Sequence, residues 1–167
     1  IEVQHDTDLN ASADYVEGVN YWDQGELDMS LDTTLTDFVT WGMTNYPAEH
    51  AALFLTDHGS GLGGGLLDDG AGGFTMPLDT IGQALLDATT LVSDTLDVLY
   101  LDMCLMGMVE VAYEARDSAD YLVASEHLLW AEAAPYFNYI DGLSADTTPE
   151  AAATLFATSY ALATSAE

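Results

Sequence analysis

The chain has 167 residues, of which 49% are apolar, so it is long enough to form one domain with a substantial core. Arg116 is its only arginine and it has no lysine, whereas 29 residues are acidic and the formal net charge is −28. Such a chain cannot neutralise phosphates, which argues against nucleic-acid binding. No apolar run reaches the roughly 18 residues expected of a membrane span.

High charge combined with this apolar content indicates a folded protein with a solvated acidic surface rather than disorder. Repulsion among the carboxylates destabilises such a protein in dilute buffer. At 1 M salt the screening length falls to about 3 Å, which relieves much of that repulsion. We therefore hypothesise that the protein is halophilic, that is, adapted to high salt. The alternative is an acidic protein that calcium stabilises.

The first third of the chain moves from extended to helical patterning. Residues 1–5 alternate apolar and polar side chains, which predicts a strand, and a second extended piece is predicted at 15–22 between polar loops. From Thr34 the apolar residues recur at intervals of three and four up to Tyr46, which predicts a helix that Pro47 ends.

The middle of the chain predicts two buried strands. The first covers 51–55 and the second covers 96–101. Between them we predict a long flexible glycine-rich loop at 60–73 and a helix that starts at 75–77, with proline in its first turn. The connection is long enough for a crossover between parallel strands.

The last third continues the alternation. We predict a helix at 107–119, a strand at 121–125, an irregular aromatic segment at 126–144 and a final helix that begins at 148–150. Strands alternating with helices indicate an α/β fold with a mostly parallel sheet and helices on both faces.

His58 and Cys104 each follow one of the two buried strands. Because parallel strands end at the same sheet edge, where sites form in open α/β sheets, these residues are predicted to meet. A thiolate is a strong nucleophile that a neighbouring imidazole can activate. The N–H groups of Gly59 and Cys104 are candidate donors to an oxyanion.

Other interpretations of these residues stay open at this point. A lone buried cysteine is usually an inert small hydrophobe, and a histidine before glycine is often only a turn residue. The single cysteine excludes an internal disulfide and a cysteine-built zinc site. His50 and His58 lack a third metal ligand at fixed spacing, and residues 59–65 lack the lysine of a phosphate-binding loop.

Several segments together resemble the clostripain family of cysteine peptidases. The resemblance covers roughly residues 28–143 and is most specific around Cys104. It is carried by these segments: Tyr-Pro-Ala-Glu-His at 46–50, Leu-Phe-Leu-Thr-Asp-His-Gly at 53–59, Leu-Asp-Met-Cys-Leu-Met at 101–106, Glu-Val-Ala-Tyr at 110–113, and Ala-Asp-Tyr-Leu-Val-Ala-Ser-Glu at 119–126.

The resemblance implies a caspase-like three-layer sandwich and a cysteine endopeptidase that cleaves after Arg or, less often, Lys. It identifies Cys104 as the nucleophile and His58 as the catalytic histidine. Asp102 matches the acidic residue that receives the substrate's basic side chain, and a carboxylate there suits a guanidinium. A turn carboxylate or cap is the alternative for Asp102. Ser125 and Glu126, at the next strand end, are the predicted pocket walls.

This sequence departs from the family in two places that affect function. Residues 135–139 read Pro-Tyr-Phe-Asn-Tyr, in which the family's Gly and Trp are replaced, so the pocket rim is altered. No Lys or Arg lies between His58 and Cys104, so we expect no self-cleavage in that interval by the family's own specificity.

We expect a single peptidase domain over residues 1–167, with the family's first strand and helix left without an identified counterpart. The alternative to an enzyme is a catalytically inactive caspase-fold binding module. The predicted partner is a peptide or protein with a basic residue. The sequence requires no cofactor, and Asp68 and Asp69 leave calcium binding open. The resemblance favours a secreted or cell-surface protein.

Overall fold

The computed structural model describes residues 27–68, 73–129 and 134–164. The strands predicted at 1–5 and 15–22 lie outside these residues. The described elements are, in chain order, α1 (Asp32–Asn45), β1 (Ala52–Thr56), β2 (Gly65–Asp68), β3 (Phe74–Met76), α2 (Leu78–Val92), β4 (Leu96–Asp102), α3 (Val109–Ala115), β5 (Ala119–Ala124), α4 (Tyr136–Asp141) and α5 (Pro149–Thr164). None of the described helices is long and apolar enough to cross a bilayer.

A parallel three-stranded sheet with the order β1-β4-β5 lies at the centre of the described chain. All residues of β4 except Asp97 are buried, because this strand has a neighbour on each side and helices on each face. In the register, Thr56 lies opposite Asp102 and Leu101 lies opposite Ala124. The predicted parallel sheet is confirmed.

Helices cover the two faces of this sheet and form two apolar clusters. On one face, Leu99 and Leu101 of β4 share a cluster with buried residues of α1, α2 and α3, such as Leu35, Leu85 and Val111. On the other face, Val98 and Tyr100 of β4 pack in a cluster with Tyr139 of α4 and Phe156 of α5. Alternate side chains of β4 thus pack against the helices on opposite faces of the sheet. The predicted three-layer α/β sandwich is confirmed.

The glycine-rich segment differs from the flexible loop that we predicted at 60–73. Its described part contains a 3₁₀ turn at Gly61–Gly63 and β2, which pairs in antiparallel fashion with β3 just after the segment. Leu66 is buried and donates its N–H to the His58 carbonyl, so this residue fixes the segment to the sheet edge. Gly64 has φ +90°, and a methyl group there would lie 1.9 Å from the Met76 carbonyl oxygen. Asp69 and the side chain of Asp68 lie outside the described residues, so calcium binding there stays a prediction.

Three other boundaries also needed correction. Residues 75 and 76 pair within β3, so α2 begins only at Leu78, directly after Pro77. The helix predicted at 107–119 is the shorter α3, because Ala119 already belongs to β5. The segment predicted to be irregular at 126–144 contains α4, whose buried Tyr139 joins the second apolar cluster.

Two close contacts between a basic and an acidic side chain lie at the surface of the described residues. His50 Nδ1 lies 2.9 Å from Asp97 Oδ1, and Arg116 lies 3.0 Å from Asp117. Asp97 also accepts the Ala51 N–H. The guanidinium of Arg116 stacks over a tyrosine ring at 3.8 Å. The acidic residues of the described chain therefore have almost no cationic partners.

Ser118 offers a direct test of polar burial. Its side chain is fully buried between α3 and β5, and its hydroxyl has no hydrogen-bond partner among the described residues. Ser118→Ala removes an unsatisfied buried group, so we expect the free energy of unfolding to rise by about 1 kcal/mol. Urea denaturation followed by circular dichroism measures this change.

The matched control is Thr148→Ala. The Thr148 hydroxyl accepts the Ala151 N–H at 3.3 Å and caps α5, as the sequence predicted. Loss of that cap is expected to lower the free energy of unfolding by about 1 kcal/mol. A Ser118→Ala variant that loses stability like Thr148→Ala would show that the hydroxyl has a partner after all.

Candidate active site

The ends of β1 and β4 lie side by side at the carboxyl edge of the sheet. Thr56 and Asp102 are paired in the register, and the Asp57 N–H donates to the Asp102 carbonyl at 3.4 Å. His58 follows Thr56 by two residues, and Cys104 follows Asp102 by two residues. Both candidate residues therefore leave the same edge from neighbouring strands.

The backbone just after His58 is in direct contact with the backbone at Cys104. A methyl group on Gly59 would lie 2.5 Å from the Cys104 carbonyl oxygen and 2.8 Å from Met103 Cβ. Real Cβ atoms essentially never come so close, so only glycine fits at this position. The glycine after His58 thus allows the two strand ends to touch.

Cys104 lies in a turn that is held from both sides by the core. Met103 and Met106 are 1% and 0% exposed, whereas Cys104 is half-buried. Leu105 has φ +63°, which turns the chain sharply after the cysteine. The Leu129 N–H points at Cys104 Sγ, with the nitrogen 3.3 Å from the sulfur. An N–H donor in that position is a favourable partner for a thiolate.

His58 is exposed, and its backbone is anchored by its neighbours. Its N–H donates to the Asp57 carboxylate, and its carbonyl accepts the N–H of Leu66. The ring is therefore open to solvent on a fixed backbone. Such a ring can exchange protons with a substrate or with water.

The two backbone donors proposed for an oxyanion remain available. Gly59 faces Gly65 in an isolated antiparallel bridge, but the bridge bonds come from the flanking Leu66 and Ser60 N–H groups. Beyond Cys104, it is the Leu105 N–H that donates to the His127 carbonyl. The N–H groups of Gly59 and Cys104 have no acceptor within the residues that the structure describes.

Asp102 is the least exposed carboxylate near this edge, at 5% exposure. Its Oδ2 accepts a hydrogen bond from the Tyr136 hydroxyl. That hydroxyl in turn lies 2.8 Å from Thr56 Oγ1. Sequence reasoning missed this contact, although Tyr136 stands in the segment already noted for its departure from the family pattern.

Phenol groups surround Asp102 on the α4–α5 face of the sheet. Burial, and after it the hydrogen bond to Asp102, raises the pKa of Tyr136 to about 12. Burial, and after it the hydrogen bond to Tyr139, also raises the pKa of Tyr100. Both phenols therefore stay protonated at neutral pH, and Tyr136 can only donate to the carboxylate.

Two clefts flank the turn at Cys104. A cleft of about 370 Å³ lies on the α5 side and includes Leu129, which contacts the thiol; its lining is Tyr100, Val123, Ala124, Ser125, Glu126, His127, Leu129, Ala157 and Tyr160. A second cleft of about 730 Å³ is lined by Ser60, Leu62, Leu105, Gly107, Met108, Val109, Glu110 and Glu126. Glu126 borders both clefts, whereas Cys104 and His58 line neither of them.

The structure thus brings most of the predicted site residues to one edge. Ser125 and Glu126 line the first cleft, whereas Asp102 does not line it. His50 precedes β1 and His58 follows it, so β1 separates the two residues that had been weighed as metal ligands. The described residues contain no cluster of three or more His, Cys, Asp or Glu that could hold a metal ion.

Comparisons with known proteins agree with the fold and the order of motifs. The family model of the clostripain family matches residues 5–166. Clostripain of Hathewaya histolytica is 31% identical over 139 residues, which covers 72% of this chain and 26% of clostripain. The chain therefore spans about a quarter of the length of that curated relative.

Two solved structures are similar over most of this chain. One is a secreted C11 cysteine protease from Bacteroides thetaiotaomicron in complex with an irreversible peptide inhibitor, at 27% identity and a TM-score of 0.66, covering 77% of this chain and 36% of that one. The other is an inactive zymogen C11 protease from Parabacteroides distasonis, at 26% identity and a TM-score of 0.63, covering 83% and 37%. From the matched model, the shared motifs and the shared fold, we conclude that this chain belongs to the clostripain family.

Proposed function

We propose that this chain carries the active site of a cysteine endopeptidase that cleaves after arginine or lysine, with Cys104 as nucleophile and His58 as acid and base. The observation that carries the proposal is the backbone contact between Gly59 and Cys104 at the carboxyl edge. This contact juxtaposes the histidine and cysteine segments in a member of the clostripain family.

The proposed reaction begins when the His58 ring takes the proton from Cys104 Sγ and the thiolate attacks the carbonyl carbon of the peptide. The new C–S bond places negative charge on the carbonyl oxygen, which the N–H groups of Gly59 and Cys104 receive. As the oxyanion collapses, the C–N bond breaks and His58 gives its proton to the leaving amine. An acyl-enzyme remains.

The second half of the reaction uses water as the nucleophile. His58 takes a proton from water as its oxygen attacks the acyl carbon, and the C–S bond breaks when this second oxyanion collapses. The product acid leaves, and His58 returns its proton to Cys104 Sγ, which restores the thiol. These steps use water together with side-chain and backbone groups of this chain. Assays with added calcium or with a chelator test whether calcium contributes.

The proposed preference for a basic residue rests on charge. Asp102 lies two residues before Cys104, and Glu126 borders both clefts. A guanidinium can bond a carboxylate with two parallel N–H···O contacts. The net charge of −28 also raises the local concentration of cationic peptides.

The test of specificity is a panel of fluorogenic peptides that differ only in the residue before the reporter group, namely Arg, Lys, Leu or Glu. We expect turnover of the Arg and Lys peptides only. Asp102→Asn removes the charge and keeps the shape, so kcat/KM for the Arg peptide is expected to fall about 100-fold.

Asp97→Asn is the matched control for this change. Asp97 lies on the same strand as Asp102 but at the opposite end, where it binds His50. Its loss is expected to leave kcat/KM unchanged. Equal turnover of the Leu and Arg peptides would contradict the basic specificity, and binding of the Arg peptide without any turnover would instead support an inactive binding module.

We propose that the protein is secreted. The similar protease from Bacteroides thetaiotaomicron is described as secreted. Detection of the native protein in washed culture medium, with a cytosolic marker absent from that fraction, tests this assignment.

A further inference from the structure

The carboxylate proposed to receive the substrate's basic side chain already has a partner within the chain. The Tyr136 hydroxyl donates to Asp102 Oδ2, and Asp102 is only 5% exposed. Tyr136 itself is 36% exposed, so its ring extends from the surface to the buried carboxylate. A ligand that approaches from solvent meets Tyr136 at the position where it needs Asp102.

The donors and acceptors around Tyr136 follow from the number of protons that each group carries. A phenol has one proton, and a carboxylate can only accept, so the Tyr136 proton points to Asp102. The contact with Thr56 Oγ1 at 2.8 Å must then be a bond that threonine donates. The hydrogen bonds run from Thr56 to Tyr136 and from Tyr136 to Asp102, and among the described residues the Asp102 carboxylate has no other side-chain partner.

We propose that Tyr136 is a specificity-determining residue whose hydroxyl competes with the basic side chain of the substrate for the Asp102 carboxylate. This inference rests on the proposed function, because it concerns the same carboxylate. A guanidinium fork uses both carboxylate oxygens, whereas an ammonium uses one. Competition at Oδ2 therefore reduces the advantage of arginine over lysine.

Tyr136 can leave Asp102 with little backbone rearrangement. It is the first residue of α4, directly after Pro135, and its N–H bonds to the nearby Ala134 carbonyl. Its ring contacts are edge-on or tilted, with ring centroids 5.5 Å from Tyr139 and 6.2 Å from Phe54. Rotation of the Tyr136 side chain thus releases its hydrogen bond to Asp102, and the arriving cation binds Asp102 in its place.

The test is Tyr136→Phe, which keeps the ring and removes the hydroxyl. We expect KM for the Arg peptide to fall about tenfold with kcat unchanged, because the internal competitor is lost from the free enzyme. The Lys peptide should gain less. Benzamidine, a planar cation that needs no catalysis, should bind about tenfold more tightly by calorimetry.

Tyr139→Phe is the matched control. The Tyr139 hydroxyl lies 3.0 Å from the Tyr100 hydroxyl in the same aromatic cluster and bonds to no carboxylate among the described residues. This variant should leave KM and benzamidine affinity unchanged. Weaker or unaltered benzamidine binding by Tyr136→Phe overturns the inference, since a residue that merely positions Asp102 would weaken binding when it is lost.

A second measurement uses the native side chain in case Tyr136→Phe does not fold. On addition of benzamidine to the Cys104→Ala protein, the ¹³Cζ resonance of Tyr136 should shift and that of Tyr139 should stay. A Tyr136 resonance that does not move counts against the competition. Absence of peptide turnover by the unmodified protein refutes the proposed function, whereas normal turnover with unchanged binding by Tyr136→Phe refutes only this inference.

Discussion

Replacement of Cys104 by alanine is expected to lower turnover of the Arg peptide by a factor of about 10⁴ or more, because Cys104 is the proposed nucleophile that forms the acyl-enzyme. Cys104 is the only cysteine in the chain, so a thiol reagent has a single target. Stopped-flow fluorescence measures turnover. After iodoacetamide treatment, mass spectrometry should show one modified site at Cys104, and the turnover assay should show complete loss of activity.

His58→Ala and His50→Ala form a matched pair of controls for this experiment. The two histidines lie at opposite ends of β1, and only His58 is at the carboxyl edge. We expect His58→Ala to lose activity almost as fully as Cys104→Ala, and His50→Ala to retain it. Substantial turnover by Cys104→Ala would refute the assigned nucleophile, and equal effects of the two histidine changes would refute the assigned base.

Stability should depend strongly on salt. The net charge is −28, and a single arginine stands against 29 acidic residues. In dilute buffer the carboxylates repel one another over a long range, whereas at 1 M salt the screening length is about 3 Å. We expect the melting temperature to rise by about 10–20 °C between 20 mM and 2 M sodium chloride, which corresponds to a few kcal/mol for a domain of this size.

The salt experiment also separates general screening from calcium binding. Calcium chloride at about 1 mM adds little ionic strength, so it should raise the melting temperature only if a specific site exists. A melting temperature that stays constant from dilute buffer to molar salt would contradict the salt-adapted hypothesis. A large rise at low calcium alone would favour the calcium-stabilised alternative.

Much of the fold could be predicted because buried parallel strands leave a plain signal. The apolar runs at 51–55 and 96–101 predict that His58 and Cys104 lie at one sheet edge, and the parallel pairing of β1 with β4 agrees. The β2–β3 hairpin escaped prediction because its strands are short and Gly64 looks like a loop residue. Gly64 is required there because a side chain would collide with the Met76 carbonyl.

The contact between Tyr136 and Asp102 could not be predicted from pattern. The two residues are 34 positions apart, and the segment that carries Tyr136 has no periodicity long enough to indicate α4. The positions of His58 and Cys104 at the sheet edge follow from the pairing of the strands that precede them. A side-chain bond between a short helix and a strand end depends instead on tertiary packing, which a single sequence does not encode locally.

The turn at Cys104 is built directly on the core, since Met103 and Met106 are both fully buried beside it. The most protected unit in native-state hydrogen exchange should therefore include β4, and the cysteine is attached to that unit. Local opening of surface helices would leave the thiol in place, whereas loss of its position requires opening of the central sheet. The position of the proposed nucleophile is thus as stable as the central sheet itself.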